Sequence, residues 1–199
     1  LKIWGSLFFL AMGLWGAVGF ASGGAQKFVA ERDGVELLLS ERYPDRVLEL
    51  MASAKKKIWV SMYVARYQED RSFAIENKMF KALVDAYRRG VDVKVILDEG
   101  MEWDTHKGRM SNRRSQKNDE ALQYLRRNGV PVRLDDPERI MHAKTLSVDD
   151  QYAVVGSHNW TYSALKKNVE VSVILSRKQD AEPLARAFDE MWRSCPELE

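Results

Sequence analysis

Apolar positions along the chain change their spacing repeatedly, and each change marks an element. Residues 35–40, VELLLS, and 58–64, IWVSMYV, are short runs with the leucine, β-branched and aromatic content of buried strands. Between them, Pro44 and Asp45 open a stretch in which Val47, Leu50, Met51 and Ala54 recur at helical spacing. Lys55, Lys56 and Lys57 put positive charge on its last turn. A second helix is expected over about 73–89, with Met79, Phe80, Leu83, Val84 and Tyr87 on one face and Gly90 to stop it. VDVKVIL, residues 91–97, is the next strand. A third helix covers 119–128 and ends at Gly129. VPVRLD then reads as an edge strand, because Pro131 has no N–H for a ladder. Three closely spaced strand-like runs follow, at about 143–148, 151–155 and 169–175. A last helix over about 179–193 carries Ala181, Leu184, Ala185, Phe188 and Met191 on its apolar face.

Strands alternate with helices early and pair closely late. The expected fold is α/β, a mixed β-sheet flanked by helices on both faces. Neither an internal repeat nor a Pro/Gly/Ser-rich linker divides the chain after residue 30, so residues 26–199 are expected to form one domain.

The first 25 residues follow another rule. Residues 3–21, IWGSLFFLAMGLWGAVGFA, contain no charge; Lys2 precedes them and the small residues ASGGA follow. About 18 apolar residues can span a bilayer, and a signal-peptide core usually has about 7–15. A cleaved signal peptide and an uncleaved membrane anchor both fit. Either one predicts export, to the periplasm or the medium, or attachment to the inner membrane through residues 3–21.

Charge and cysteine content mostly exclude. A net charge of +2 is too small to predict a polyanionic partner by itself. The single cysteine, Cys195, excludes a disulfide framework within the chain and a cysteine-based zinc site.

The candidate chemistry lies in IMHAKTLSVDDQYAVVGSHNW, residues 140–160. Residues two apart on a strand share a face, so His142 and Lys144 project together. Asp149 and Asp150 make a polar turn, and the returning strand brings Gly156, Ser157 and Asn159 alongside them. Gly156 is expected to let the backbone approach a ligand. A lysine supplies fixed positive charge for a phosphate, and Ser and Asn supply hydrogen bonds to phosphoryl oxygens. A neutral imidazole can attack phosphorus or act as acid or base, with its second nitrogen held by an acceptor; Glu170 is the candidate acceptor. No cluster of side chains has metal-ligand spacing. His-x-Lys alone is usually a solvated strand face, and Gly-Ser-x-Asn alone is usually a turn. Together, in one order and without gaps, they make chance a poor explanation.

This spacing resembles the HKD motif of the phospholipase D superfamily, single-motif Nuc-type bacterial endonuclease branch. YPDRVLELMASAKKKIWVSMYV, LVDAYRRGVDVKVILDEG and NVEVSVIL also resemble segments flanking the motif in that family. The resemblance covers roughly residues 35–193 and implies a phospholipase D-like fold with one HKD motif per chain. Family phosphodiesterases need two motifs at one site, and single-motif members supply them by homodimerising. Of the other two histidines, His106 is in no such motif and His158 lies inside Gly-Ser-x-Asn.

The implied mechanism needs neither metal nor cofactor. His142 attacks phosphorus to form a phosphohistidine, and the partner's His142 protonates the leaving oxygen and later activates water. Lys144 and Asn159 would stabilise the phosphoryl oxygens, with Ser157 in support. Glu170 would orient His142 and favour its imidazolium form. Asp149 would serve structure or orientation more than chemistry. Nuc-type members imply a nucleic-acid substrate, DNA or RNA, cut with little sequence preference. The mitochondrial Zucchini-type branch carries a Cys/His zinc insertion that one cysteine does not supply, and cardiolipin synthases carry two motifs per chain.

HKGRMSNRRSQK, residues 106–117, reads as a basic loop joining a strand end to the third helix. Lys107, Arg109, Arg113, Arg114 and Lys117 are candidate contacts to nucleic-acid phosphates, or to anionic headgroups if the substrate is a phospholipid such as cardiolipin. Trp103 nearby is a candidate for stacking on a base. A third alternative is a non-catalytic, membrane-anchored nucleic-acid-binding module, which the intact motif disfavours.

Overall fold

The computed structural model describes residues 31–104, 109–114 and 116–196. The expected leader, residues 1–25, lies outside them. Among the described residues no helix is long and apolar enough to cross a membrane.

The chain opens with β1 (Glu31–Arg32) and β2 (Val35–Leu39), then α1 (Arg42–Ser53), β3 (Lys57–Met62), α2 (Ile75–Arg88) and β4 (Asp92–Leu97). A hairpin of β5 (Met101–Asp104) and β6 (Arg109–Arg114) follows, then α3 (Asp119–Arg127) and β7 (Val132–Leu134). The last part is β8 (Lys144–Val148), β9 (Tyr152–Gly156), α4 (Tyr162–Lys166), β10 (Val171–Leu175) and α5 (Lys178–Ser194). Eight strands form one sheet in the order β1-β2-β10-β9-β8-β3-β4-β7. The β3–β4 and β4–β7 pairs are parallel and the others antiparallel, so the sheet is mixed, as expected. β7 is the edge strand that Pro131 announced.

Helices cover both faces. On one, α1, α2, α3 and α4 bury Val47, Met51, Phe80, Leu83, Leu125 and Leu165 against Leu38, Ile58, Val60, Leu146, Val154 and Ile174 of the strands. On the other, α5 lays Phe188 beside Ile96, with Trp59 stacked on Phe188 at 5.1 Å. Cys195 is buried there, and burial pushes its thiol up to about 11.

Three differences from the sequence reading have physical causes. Residues 109–114, expected within a basic loop, form a strand that pairs with 101–104. α2 starts at Ile75 rather than Phe73, because the preceding turn is closed by Ala74 N donating to Arg71 O at 2.8 Å, leaving Phe73 in water. The short α4 was missed; Thr161 caps it by accepting from Ala164 N at 3.3 Å.

Asp149 fixes the register of the central strands. Asp149 and Asp150 take φ of 56° and 57°, and Gln151 N donates to Val148 O at 2.9 Å, so they form the left-handed turn that suits a tight hairpin. The Asp149 carboxylate accepts from Lys55 N at 2.8 Å, Lys56 N at 2.7 Å and Lys57 N at 2.9 Å. This ties the β8–β9 turn to the start of β3. Burial opposes the charge, but the three backbone N–H groups outweigh it and hold the carboxyl below its usual value. Asp149→Asn should therefore destabilise the fold by about 2 kcal/mol at neutral pH, read from urea midpoints. A carboxyl depressed on folding stabilises above its unfolded value, about 3.9, and loses that contribution as pH falls through the folded value. The gap between wild type and variant should thus close in acid.

Candidate active site

Strand polarity gathers the site at one edge. β3 and β4 run parallel, so their C-terminal ends place Tyr63 and Asp98 side by side. β8 runs antiparallel to β3, with Lys144 opposite Met62, so the start of β8 meets the end of β3. β9 and β10 alternate in direction again, so Ser157 and Asn159 after β9, and Glu170 before β10, reach the same edge. Of the expected site residues, the fold brings His142, Lys144, Ser157, Asn159 and Glu170 to this edge. Asp149 lies at the opposite end of β8 and takes no part in the cluster; its carboxylate holds backbone instead.

His142 is exposed and lies two residues before β8, in a segment held extended by Tyr63 N donating to Ala143 O at 2.8 Å. Its ring meets the Tyr63 ring at 4.4 Å. Lys144 shares a face with Leu146 and Val148, so its stem is buried at the end of an apolar row. Its Nζ turns up to donate to His142 O at 2.7 Å and lies 4.7 Å from the Tyr63 ring. Burial lowers the Lys144 pKa, with Glu170 and Asp98 opposing and Lys117 adding to the lowering.

Burial also lowers the His142 pKa; Lys144 and Lys117 add to this and Asp98 opposes it. These causes shift the imidazole toward its neutral form. Glu170, expected to favour the imidazolium, is not among the groups that shift it. The Glu170 carboxylate accepts from Ser157 Oγ and from Asn168 Nδ2, the latter at 2.9 Å, rather than from His142. Both of its oxygens are engaged by these neighbours.

Asn159 Oδ1 accepts from Val64 N at 3.2 Å, so the amide presents its nitrogen as donor. Gly156 has a different reason from the one expected. It pairs with Ser172, and a Cβ there would come within 2.4 Å of Ser172 Cα, so glycine serves strand approach rather than ligand approach. The Ser172 hydroxyl thereby reaches His158 Nδ1 at 2.7 Å. His158 is fully buried, its Nε2 faces Ser40 O at 3.3 Å, and it stacks on Tyr43 at 4.1 Å. It is a core histidine.

The floor of the site was not read from sequence. Asp98 is fully buried, pairs with Lys117 Nζ at 2.5 Å and accepts from Met141 N at 2.7 Å, just before His142. Lys117 Nζ lies 3.7 Å from the Tyr63 ring. Lys117 is thus part of the site's floor, not a loose cation of a loop. Asn118 clamps the diverging strand ends: Oδ1 accepts from Ala65 N at 2.8 Å, and Nδ2 donates to Tyr63 O at 3.1 Å and Asp98 O at 2.8 Å. A single signal hinted at this, an aspartate ending the apolar run VKVIL. Arg109, Arg113 and Arg114 lie on β6, whose hairpin leaves and re-enters the sheet between Asp98 and Lys117. Lys107 and His106 lie outside the described residues, and so does any account of the Trp103 side chain. Among the described residues, no three His, Cys, Asp or Glu are grouped to hold a metal ion.

Known proteins share both sequence and fold with this chain. The family model described as "Cardiolipin synthase, PLD-like domain" matches residues 47–192. A phospholipase D of Rickettsia bellii is 33% identical over 113 residues, 57% of this chain and 48% of its own length. A mitochondrial cardiolipin hydrolase of Danio rerio is 27% identical over 150 residues, 75% of this chain and 56% of its own length. The chain spans about half the length of these curated relatives. Among solved structures, the phospholipase D family member Nuc from Salmonella typhimurium is similar with a TM-score of 0.64 and 26% identity, over 83% of this chain and 99% of Nuc. NucT from Helicobacter pylori shares the fold at 17% identity, with a TM-score of 0.58. Because the matched segment takes in most of the sheet and the whole motif, this chain belongs to the family of phospholipase D-like domains.

Proposed function

We propose that this protein is a metal-independent phosphodiesterase that cuts nucleic acid, DNA or RNA, within the chain and with little sequence preference. The observation that carries the reading is an exposed imidazole, His142, beside a buried lysine, Lys144, at an open sheet edge. A neutral ring nitrogen forms the N–P bond as the P–O bond to the leaving group breaks. Lys144 and the Asn159 amide stabilise charge on the phosphoryl oxygens, and the reading asks no metal to do so.

The leaving oxygen needs a proton, and the phosphohistidine later needs an activated water. His158 serves neither need, being fully buried with both nitrogens engaged. The reading takes the second imidazole from a partner copy across a two-fold axis. An apolar strip supports this. Leu37, Leu39, Val155, Val171 and Val173 share the sheet face opposite the main core, and Leu39, Val155 and Val171 are exposed there beside Ser157 and Glu170.

Nucleic acid is favoured by the likeness to Nuc, which this chain matches over 99% of the Nuc chain. The arginine-bearing β6 at the rim adds to it. Phospholipid is the second reading, favoured by the relatives named phospholipase D and cardiolipin hydrolase. With the apolar leader, either reading puts the site in an exported or membrane-attached protein.

In EDTA, the purified protein should cleave DNA or RNA, and His142→Ala should lose this activity by about 10³-fold or more. Equal activity in the variant removes His142 as nucleophile; cleavage of cardiolipin vesicles alone replaces the nucleic-acid reading. In sedimentation the protein should be a dimer, and Val171→Arg should yield a folded, inactive monomer. A fully active monomer would leave the second imidazole unexplained.

The pH dependence follows from His142. The attacking imidazole must be unprotonated and the partner's must carry a proton, so activity should rise with pH through a value below the ordinary 6.5 of histidine and fall again as the proton donor is lost. Lys144→Met removes a neighbouring positive charge while keeping bulk, so the His142 titration, followed by NMR, should move up. A midpoint that stays in place would mean Lys144 does not act on His142.

A further inference from the structure

The connection from β3 to α2 folds into a second concavity. It has a volume of about 430 Å³, and its lining includes Gln68, Asp70, Arg71, Phe73, Glu76 and Tyr162. It adjoins the His142 edge. Ala65 bridges Trp160 and Arg66 N donates to Trp160 O at 2.9 Å, so the segment leading to Gln68 runs beside the one joining Asn159 to Tyr162. The wall is built rather than loose. Asn77, 5% exposed, donates from Nδ2 to Gln68 O at 2.6 Å and Arg71 O at 2.9 Å, and its Oδ1 accepts from Gln68 N at 3.0 Å.

Two features of this concavity are costly if nothing binds there. Glu76 is fully buried; Oε1 accepts from Gln68 Nε2, but Oε2 has no hydrogen-bond partner among the described residues. A buried carboxylate oxygen without a donor is destabilising. Phe73 is 93% exposed and Tyr162 is 50% exposed, so two rings stand in water beside that carboxylate. Charges of both signs flank them: Asp70 and Arg71 line the same wall, and Lys167 Nζ lies 5.3 Å from the Tyr162 ring. The rings offer faces for stacking, the carboxylate needs an N–H donor, and the cations suit an anion. A nucleotide brings all three.

We propose that this concavity is a nucleobase subsite. A base of a single strand stacks on Phe73 and Tyr162, and its exocyclic amino group donates to Glu76 Oε2, while a flanking phosphate meets Arg71 and Lys167. The proposal rests on the nucleic-acid reading above and adds to it a modest base preference. Cytosine, adenine and guanine carry an exocyclic amino group; thymine and uracil do not. Stacking tolerates every base, so ring and carboxylate have separable effects.

The test compares wild type, Phe73→Ala and Glu76→Gln on short oligo(dC), short oligo(dT) and the chromogenic diester bis(p-nitrophenyl) phosphate, with each oligonucleotide rate divided by the diester rate. Wild type should cut oligo(dC) on the order of tenfold faster than oligo(dT). Glu76→Gln should bring that ratio toward one. Phe73→Ala should lower both normalised oligonucleotide rates by about tenfold. Phe73 is exposed, so its variant keeps the test valid even where the buried Glu76→Gln fails to fold. Equal cutting of the two oligonucleotides by wild type, or wild-type ratios in Phe73→Ala, overturns the subsite and leaves the nuclease intact. Diester hydrolysis with neither oligonucleotide cut overturns the nucleic-acid reading and the subsite together.

Discussion

The site depends first on the antiparallel pairing of β8 with β3. Parallel strands deliver their C-terminal ends to one edge, which is how Tyr63 and Asp98 become neighbours. A motif that begins a strand reaches that edge only if its strand runs the other way. β8 does, and its register is held at both ends: by Tyr63 N on Ala143 O near the motif, and by Asp149 on three backbone N–H groups far from it. A slip of one residue would turn Lys144 from the face of Leu146 and Val148 to that of Thr145 and Ser147. Asp149 belongs to the motif by sequence and reaches the chemistry only through this register.

The second constraint is electrostatic. Asp98 and Lys117 form an ion pair whose carboxylate is fully buried, and such pairs contribute little net stability after desolvation. Here the pair has positional consequences. Asp98 holds Met141 N directly ahead of His142, and Lys117 lies against the Tyr63 ring that packs on His142. With Lys144 bonded to His142 O, charge and orientation are set before any ligand arrives, the condition under which fixed dipoles and cations act most strongly on a developing charge. Burial lowers the His142 pKa and the same cations add to it, so the groups that would receive a phosphate also favour the neutral ring that would attack it.

Sequence showed the site where spacing alone decides geometry. His142 and Lys144 are two apart on a strand, and Asn159 follows one hairpin later, so strand alternation and a tight turn suffice to bring them to one edge. It did not show what depends on pairing between distant segments. Lys117 looked like one cation among five in a basic run, because nothing local reveals that Asp98, nineteen residues earlier, ends beneath it. Glu170 was matched to His142 by chemical need, whereas Ser157 and Asn168 lie closer in the fold. Gly156 looked like a ligand contact because its crowding by Ser172 is a cross-strand fact. The β5–β6 hairpin escaped for the opposite reason: MSNRR has the polarity of a loop, and only its partner strand makes it extended.

The open corner of the sheet connects the fold to the proposed chemistry. α5 crosses β9, β8 and β3 and ends near β7, where Arg133 Nη1 donates to Trp192 O at 2.7 Å. It leaves uncovered the corner of β2, β10 and β9 nearest His142, where Leu39, Val155 and Val171 are exposed. A helix of this chain laid over that corner would bury the strip but crowd the edge where, on the proposed chemistry, a phosphate would enter. On the proposed mechanism a second copy laid there would bury the same strip from both sides and set a second imidazole, the one that carries the proton, against the entry. On the proposed mechanism, burial of apolar surface and supply of the second proton carrier are then one event. A chain that closed its own corner would have to find the second imidazole elsewhere, and the remaining described histidine, His158, is committed to Ser172, Ser40 and Tyr43 in the core.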